Sequence, residues 1–503
     1  MWEVNVSENS STTATGLGKN RLGVLGIVFF VVAAAAPLVG MTGAVPVAVV
    51  LGNGVAVPGT YLLVGITLLL FSVGYAAMSS HVTNAGAFFA YVGRGFGVVP
   101  GVASAFVSLL AYITIQLAIY GFFGVVLSSE LKSVGWSPYA WALIAWAVSF
   151  ALSWFSVDIG AKFLGVLMIL EVATLLITAL AVFFKGGGPN GLDVGASFSL
   201  SNVFSSATGA PGIALAFAFA SFIGFEATAI YGEEARDPKR AVPRATYLAI
   251  IIITALFALV SFAMVSGLGS SDVIGNILKA TGELANPAGA LFTVASTFVG
   301  SWLATLMKWL VLSSLFAGIL AFQNSAARYF FALGRSGVLP QALSRTNRFG
   351  SPGNGSIAVA VIAGLTIVGF WMKDMDPYKT MFSWFSAVAV VAIVFVEVLV
   401  CLAVMKYFAG KPGTSLWTRL IAPALAGLGL LYGEYLLMSR FGLLAGTSQA
   451  DVDPTKVTWH LNPTGWVLVL STFAVFIIGF IVAMMSKANH KDAAVSDTDD
   501  VFV

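Results

Sequence analysis

Twelve long apolar runs fill this 503-residue chain, and two of them are interrupted at matching places. About 20 consecutive apolar residues carry a helix across a bilayer. The runs are Leu22–Leu51, Tyr61–Ser79, Val99–Ser128, Tyr139–Phe155, Phe163–Phe184, Gly212–Gly232, Tyr247–Gly267, Gly289–Phe322, Ile357–Trp371, Phe382–Met405, Leu420–Met438 and Gly465–Met485. Pro37-Leu38-Val39-Gly40-Met41-Thr42-Gly43 interrupts the first, and Ala220-Ser221-Phe222-Ile223-Gly224-Phe225-Glu226 interrupts the sixth. Unpaired backbone groups in hydrocarbon cost several kcal/mol each, so a broken helix persists only where it lines a cavity. Broken helices at corresponding positions of two halves mark the binding site of a secondary transporter. The runs are continuous, whereas a strand-built barrel would alternate in ten-residue segments.

Composition agrees with a membrane protein. The chain is 58% hydrophobic and 9% charged, against about a quarter charged in soluble domains. Residues 1–21 and 487–503 are polar and read as disordered cytoplasmic tails; the first is followed by a run too long for the apolar part of a signal peptide. The single Cys401 lies inside a run, so no disulfide forms within one chain. With the N-terminus inside, 17 of the 25 Lys and Arg fall in cytoplasmic loops and tails and 7 outside, with Lys308 inside the eighth run. That bias places both termini in the cytoplasm. The net charge of +3 is explained by topology, and membrane lipid rather than nucleic acid is the expected surrounding. No metal-ligand spacing, cofactor motif or catalytic cluster stands out, and the three histidines are scattered in loops and tails.

The sixth run and the loop after it carry a recognisable pattern. Phe219-Ala220-Ser221-Phe222-Ile223-Gly224-Phe225-Glu226 is followed by Gly232-Glu233-Glu234-Ala235-Arg236-Asp237-Pro238-Lys239-Arg240-Ala241-Val242-Pro243-Arg244-Ala245. Together these resemble the amino acid–polyamine–organocation (APC) superfamily permeases. Asn84-Ala85-Gly86-Ala87-Phe88-Phe89-Ala90-Tyr91-Val92 is similar to the family's loop after the second span. The stretch from Ala326 to Pro340 is similar to its loop after the eighth. The resemblance covers about Leu22 to Met405. It implies an all-α fold of twelve transmembrane helices, leucine-transporter-like, with helices 1 and 6 broken. Residues 22–405 would form the transport core as two inverted five-helix repeats, about 22–184 and 212–405, and residues 406–486 the peripheral helices 11 and 12. One departure stands out: where many members carry a small Gly-Ser-Gly-type run, this chain has Gly40-Met41-Thr42-Gly43, with Pro37 before it and Pro46 beyond.

A half-helix N-terminus presents free N–H groups and partial positive charge. Met41, Thr42 and Gly43 are therefore candidates to hold a carboxylate beside Gly40, while the carbonyls of Ala35, Ala36 and Phe219, Ala220 and Ser221 suit an ammonium group. Phe222 and Gly224 complete the second break. The bland alternative is a proline kink with glycines for close helix packing. On the third run Tyr112, Gln116 and Tyr120 share one helix face. They are candidates to line the pocket, or else interhelical hydrogen bonds that hold the bundle. Phe222, Phe316 and Phe385 are candidate apolar walls.

Glu226 and Glu171 are acids inside spans, where ionisable groups are costly and usually functional. The resemblance gives Glu226 a part in proton-linked gating, or in amine binding in polyamine carriers; alternatively it caps freed backbone N–H groups. In sodium-independent relatives a lysine often stands near the position of Glu171 and fills the place of a sodium ion. A carboxyl group in low dielectric takes up a proton more readily, so Glu171 is a candidate proton relay, or a cation ligand with Ser313 and Ser314. The alternatives are pairing with Lys308 or hydrogen bonds to threonines. Glu397 and Glu434 also fall within runs, and neither is given a role. Glu233, Glu234, Arg236 and Asp237 with Arg328 and Arg335 are candidates for inner-gate ion pairs.

The expected activity is secondary active import of an amino acid or related amine across the plasma membrane by alternating access, coupled to H+ or run by exchange. Two alternatives remain: a polyamine or other cationic amine carrier, and a potassium-ion transporter on the same fold.

Overall fold

The computed structural model describes residues 22–82, 88–155, 157–205, 210–284, 286–411 and 413–489, side chains at 157–164, 233 and 487–489 excepted. Residues 1–21 and 490–503, and Asn84–Ala87 of the motif after the second run, lie outside the described residues. Among the described residues the regular structure is helical, with three isolated bridges and no strand. The long helices are α1 (Val24–Ala35), α2 (Val57–Ser79), α3 (Val98–Glu130), α4 (Pro138–Trp154), α5 (Val157–Phe184) and α6 (Pro211–Phe222). They continue as α7 (Pro238–Leu268), α8 (Ser301–Arg335), α9 (Gly353–Met372), α10 (Ser383–Ala409), α11 (Ala422–Ser439) and α12 (Pro463–Asn489).

Among the described residues ten helical stretches are long and apolar enough to cross a membrane. One of them, Val24–Ser79, joins two runs whose chain turns at Gly52–Gly54, where Gly54 has φ 61°. At 17 residues, Pro138–Trp154 falls just short of that length.

Several boundaries differ from the sequence expectation. The run Gly289–Phe322 is two helices: Gly289–Phe298 stops at Gly300, whose φ of 144° no other residue adopts readily, and α8 begins at Ser301. That helix then continues for 35 residues, taking Ala326–Gly334 into its last turns where a loop was expected. Pro238 opens α7 at its first turn, where proline lacks only an N–H that would be unpaired anyway. Lys487–Asn489 end α12 rather than opening the tail.

The broken helices sit at the centre. Of the 18 most apolar residues in a row within Pro211–Ile230, 94% are buried, against 22% for those within Pro463–Ser486. Close packing there relies on small residues. A side chain at Gly65 of α2 would overlap Thr254 of α7, and one at Gly74 would meet Val404 of α10 at 2.7 Å.

Candidate functional site

The first break falls at Ala36. Its backbone is left-handed (φ 44°, ψ 66°) and ends α1, and Pro37 opens the continuation, residues 37–53. The Gly40 N–H donates to the Ala36 carbonyl (3.1 Å), so the free end of the second half lies at Leu38 and Val39. Met41, Thr42 and Gly43, expected at that end, lie inside a π-helical turn, Gly40–Ala44, and the Thr42 hydroxyl donates to the Leu38 carbonyl at 2.6 Å. Proline disfavours α geometry in the residue before it, which sets the break one step before Pro37. Gly40 and Gly43 instead serve packing: a Cβ on them would lie 2.9 Å from the Phe257 ring and 3.1 Å from the Phe122 ring.

The second break spans Ile223–Glu226. Helix α6 ends at Phe222, Gly224 takes φ 112°, and a short helix resumes over Ala227–Ile230. A Cβ on Gly224 would lie 2.7 Å from the Ala34 Cβ, so glycine lets the two breaks touch. The Gly224 N–H donates to Glu226 Oε2 at 2.9 Å, and the Tyr75 hydroxyl donates to the Glu226 carbonyl at 2.6 Å. Glu226 is thus the cap of its own break. Its Oε1 and the Tyr112 hydroxyl, both fully buried, face one another without a hydrogen bond of ordinary geometry. At the end of α6 the Ala220 carbonyl is taken by the Ile223 N–H at 3.2 Å, against expectation.

Where the breaks meet lies a cavity of about 80 Å³. Its wall comprises Ala34, Ala35, Ala36, Val39, Gly40, Gly43 and Ala44 of the first broken helix and Phe217, Ala220, Ser221 and Ile223 of the second. Ile115 and Ile119 of α3, Phe322 of α8, and Phe382 and Ser386 at the start of α10 complete it. A water occupies on the order of 10–15 Å³ on this scale, so the space suits a small solute. Among the described residues no charged side chain lines it. Its polar side chains are Ser386 and Ser221, whose hydroxyl donates to the Phe217 carbonyl (2.8 Å) and meets the Tyr61 hydroxyl (3.0 Å).

Of the expected binding residues, Ala36, Gly40, Gly43, Ala220 and Ser221 line this cavity. Met41, Thr42, Tyr112, Gln116, Phe219, Phe222 and Gly224 do not. Gln116 joins helices instead, donating to Gln323 Oε1 at 2.8 Å and the Ile319 carbonyl at 3.3 Å, and Tyr120 meets Ser149 at 2.7 Å. Phe219 packs where Gly433 has no side chain, and Phe222 lies against Phe257. The cavity walls Ile115, Ile119, Phe322 and Phe382 carry no signal in the sequence; Phe316 and Phe385, expected as walls, stand outside it.

Two polar sites flank the cavity. On one side the Ser313 hydroxyl donates to Glu171 Oε1 at 3.2 Å, and Ser314 adjoins that carboxylate. Lys308 forms no ion pair with it among the described residues. At the Leu22 end, Arg328 is buried against Glu234: Nε and Nη2 both lie 2.8 Å from Glu234 Oε1. The guanidinium also sits 4.8 Å from the Tyr231 ring centre and donates to the Asn324 carbonyl (3.1 Å). Leu22 is pinned alongside, its N–H donating to the Glu234 carbonyl at 3.1 Å and its carbonyl accepting from Arg236 at 2.9 Å. Among the described residues Asp237 pairs with exposed Arg240, at 3.9 Å, and the Glu233 side chain lies outside the described residues.

Comparison with known proteins bears on this arrangement. A branched-chain amino acid permease of Lactococcus lactis is 27% identical over 178 residues, 35% of this chain and 35% of that protein. The dicarboxylic amino acid permease of Saccharomyces cerevisiae is 24% identical over 336 residues, 63% of this chain and 54% of that protein. An uncharacterised transporter of Mycobacterium bovis is 27% identical over 346 residues, 62% of this chain and 65% of that protein. The matches thus span about a third to two thirds of these relatives' length. The family model described as amino acid permease matches residues 22–494, which takes in both breaks, the cavity between them and every long helix. A broken-helix bundle in the membrane, matched over nearly its whole length, makes this chain a member of the amino acid permease family.

Proposed function

We propose that this protein carries a small neutral amino acid with an apolar side chain across the cell membrane by alternating access. The observation that carries the substrate class is the cavity at the two breaks, walled by alanine, glycine, isoleucine and phenylalanine with no charged side chain. The substrate ammonium would meet the closing carbonyls of α1 at Ala34 and Ala35, together with the Ser221 hydroxyl. Its carboxylate would meet the half-helix start at Leu38 and Val39, where N–H groups and the helix dipole favour an anion. Ile115, Ile119 and Phe322 would take the side chain. Twelve spans in two inverted repeats, with both termini in the cytoplasm, are the matching topology. The Arg328–Glu234 pair would then be the cytoplasmic gate.

Transport would be driven by H+ through Glu171 or run by exchange. A second reading has one supporting observation. Glu171 with the Ser313 and Ser314 hydroxyls makes a set of hard oxygen ligands that suits a monovalent cation, so a potassium-ion transporter is the rival. A polyamine carrier is disfavoured, since Glu226 does not line the cavity and already caps Gly224.

Ligand-induced thermal stabilisation of the purified protein tests the substrate class. Binding to the folded state stabilises by RT ln(1 + [L]/Kd). Alanine, valine and leucine should raise the unfolding temperature, and glutamate, lysine, cadaverine and isobutylamine should not. Stabilisation by the amines alone would overturn the reading, and a response to potassium with silence to every amino acid would establish the rival.

A further inference from the structure

One buried ring presses on the cavity wall from behind. Phe257 of α7 is 0% exposed and does not line the cavity. Gly40 does, through its backbone, and a Cβ on it would lie 2.9 Å from Phe257 Cε1, 3.1 Å from Cζ and 3.5 Å from the Ser221 hydroxyl oxygen. A methyl group at Gly40 therefore needs space that the ring already fills.

The same ring reaches the other broken helix by two routes. Its centre is 5.3 Å from that of the Tyr61 ring on α2, and the Tyr61 hydroxyl meets the Ser221 hydroxyl at 3.0 Å. Ser221, in the last turn of α6, lines the cavity. Phe222, the last residue of α6, lies edge-on to Phe257 at 6.0 Å. Phe257 thus stands between the turn Gly40–Ala44 of the first broken helix and the end of α6 in the second. Such a wedge sets the distance between the walls it holds apart, because a close-packed interior compresses little and transmits strain.

The ring also has a rigid support. Thr254, one turn before Phe257 on α7, fills the place that Gly65 leaves on α2, one turn after Tyr61. That contact fixes the spacing of α2 and α7 close to both rings. Phe122 of α3 holds a similar position behind Gly43, 3.1 Å from where its Cβ would be, but its ring lies 5.1 Å from that of Phe382, which itself lines the cavity. A change at Phe122 therefore disturbs a lining side chain directly, whereas Phe257 bears on the lining glycine alone and on Ser221 through Tyr61.

We propose that Phe257 is a positioning residue that sets the size of solute the cavity accepts, although it never touches the solute. This role rests on the cavity being the amino acid site proposed above. Ring atoms Cε1 and Cζ hold the Gly40–Ala44 turn forward, into the cavity. Leucine at this position has neither atom, so the turn settles back and the cavity widens. Tyrosine adds an oxygen on Cζ and pushes the turn further in. Solute size should run opposite to the bulk at residue 257.

Ligand-induced thermal stabilisation of the full-length purified protein by alanine, valine, leucine and phenylalanine tests this, read as ratios of Kd. One methylene in an apolar pocket discriminates by about tenfold or more. Phe257→Leu should therefore raise the alanine-to-leucine Kd ratio by about tenfold, and Phe257→Tyr should lower it. Gly40→Ala alone should lower both the unfolding temperature and binding. Combined with Phe257→Leu, its methyl takes the place of the missing ring atoms, and the ratio should return close to that of the wild type. If the ring only packs, Phe257→Leu weakens alanine and leucine by the same factor, and that constant ratio overturns the proposal. A double variant that keeps the ratio of Phe257→Leu overturns it too. Should Gly40→Ala fail to fold, the ratios of Phe257→Leu and Phe257→Tyr decide alone. A wild type that responds to no amino acid refutes the substrate reading instead. A cryo-electron microscopy map of Phe257→Leu then decides: a Gly40–Ala44 turn shifted toward residue 257 sustains the spacing role, and an unmoved turn overturns it.

Discussion

If the Arg328–Glu234 pair is the proposed cytoplasmic gate, Glu234→Gln should favour its open state, and the size of the effect follows from burial. The two side chains are 1% and 8% exposed, and one carboxylate oxygen takes two guanidinium nitrogens at 2.8 Å. Exposed pairs contribute little, whereas removing one partner of a buried pair costs about 3–5 kcal/mol because a charge is left unbalanced. Glutamine retains one acceptor, and the Asn324 carbonyl and the Tyr231 ring stay in place, so about 3 kcal/mol is the working value. That loss falls on the closed state, since water reaches the arginine once the end is open. At 1.4 kcal/mol per tenfold, the open-to-closed ratio should rise on the order of a hundredfold. Leu22 reports it, being 8% exposed and tied to Glu234 and Arg236 when closed. In a Cys401→Ala background, Leu22→Cys should react slowly with a bulky maleimide, and much faster once Glu234→Gln is added. Adding Arg328→Gln as well removes the guanidinium itself and should bring the rate most of the way back. An unchanged rate in a folded Glu234→Gln variant would refute the gate. A double variant as reactive as the single would refute the charge argument behind it.

Other changes probe the cavity and its surroundings. Gly224→Ala demands a side chain at φ 112° and 2.7 Å from Ala34, a strained backbone worth about 1–3 kcal/mol; ligand-induced stabilisation should vanish before the fold does. Ile115→Phe overfills a cavity of about 80 Å³ at about 1–3 kcal/mol, and equilibrium binding of valine should fall more steeply than that of alanine. Tyr61→Phe removes one hydrogen bond to Ser221, worth about 0.5–1.5 kcal/mol, so amino acid affinity should weaken by no more than about tenfold. Glu171→Gln should spare exchange and abolish accumulation driven by a pH gradient; retained accumulation would assign Glu171 to structure.

The sequence displays the helices and the existence of both breaks, because length and apolarity alone are enough to register them. It ends the first half-helix at Ala36, as observed, but starts the second at Met41–Gly43, a few residues late. Gly40 and Gly43 accommodate Phe257 and Phe122, while Pro37, which opens the interruption in the sequence, restricts Ala36 and sets the break. On α3 the polar stripe Tyr112, Gln116 and Tyr120 attracts a binding assignment, but polar groups in a bundle seek one another. Gln116 finds Gln323 and Tyr120 finds Ser149. The cavity-facing residues, Ile115 and Ile119, are a step round the same helix and look like any lipid-facing isoleucine. Arg328 and its neighbours read as loop because charge seldom lies inside a span; burial against Glu234 keeps them in the helix.

Charge in this bundle is kept out of the solute cavity and placed around it. Glu171 lies with Ser313 between α5 and α8, Glu226 caps Gly224 in the second break, and Arg328 pairs with Glu234 at the Leu22 end. A zwitterionic solute brings its own two charges, and helix ends answer both without a net charge. A charged wall would bind the solute more tightly in one orientation of the bundle and would need solvation when the solute leaves. A neutral cavity avoids that trap and leaves energy input to groups that never touch the solute. Substrate affinity and coupling are consequently expected to be separable by mutation: changes at Ile115 or Ser221 should move affinity at constant proton dependence, and changes at Glu171 should move proton dependence at constant affinity. A single variant of Glu171 that shifts both by the same factor would mean the solute and the proton share ligands after all.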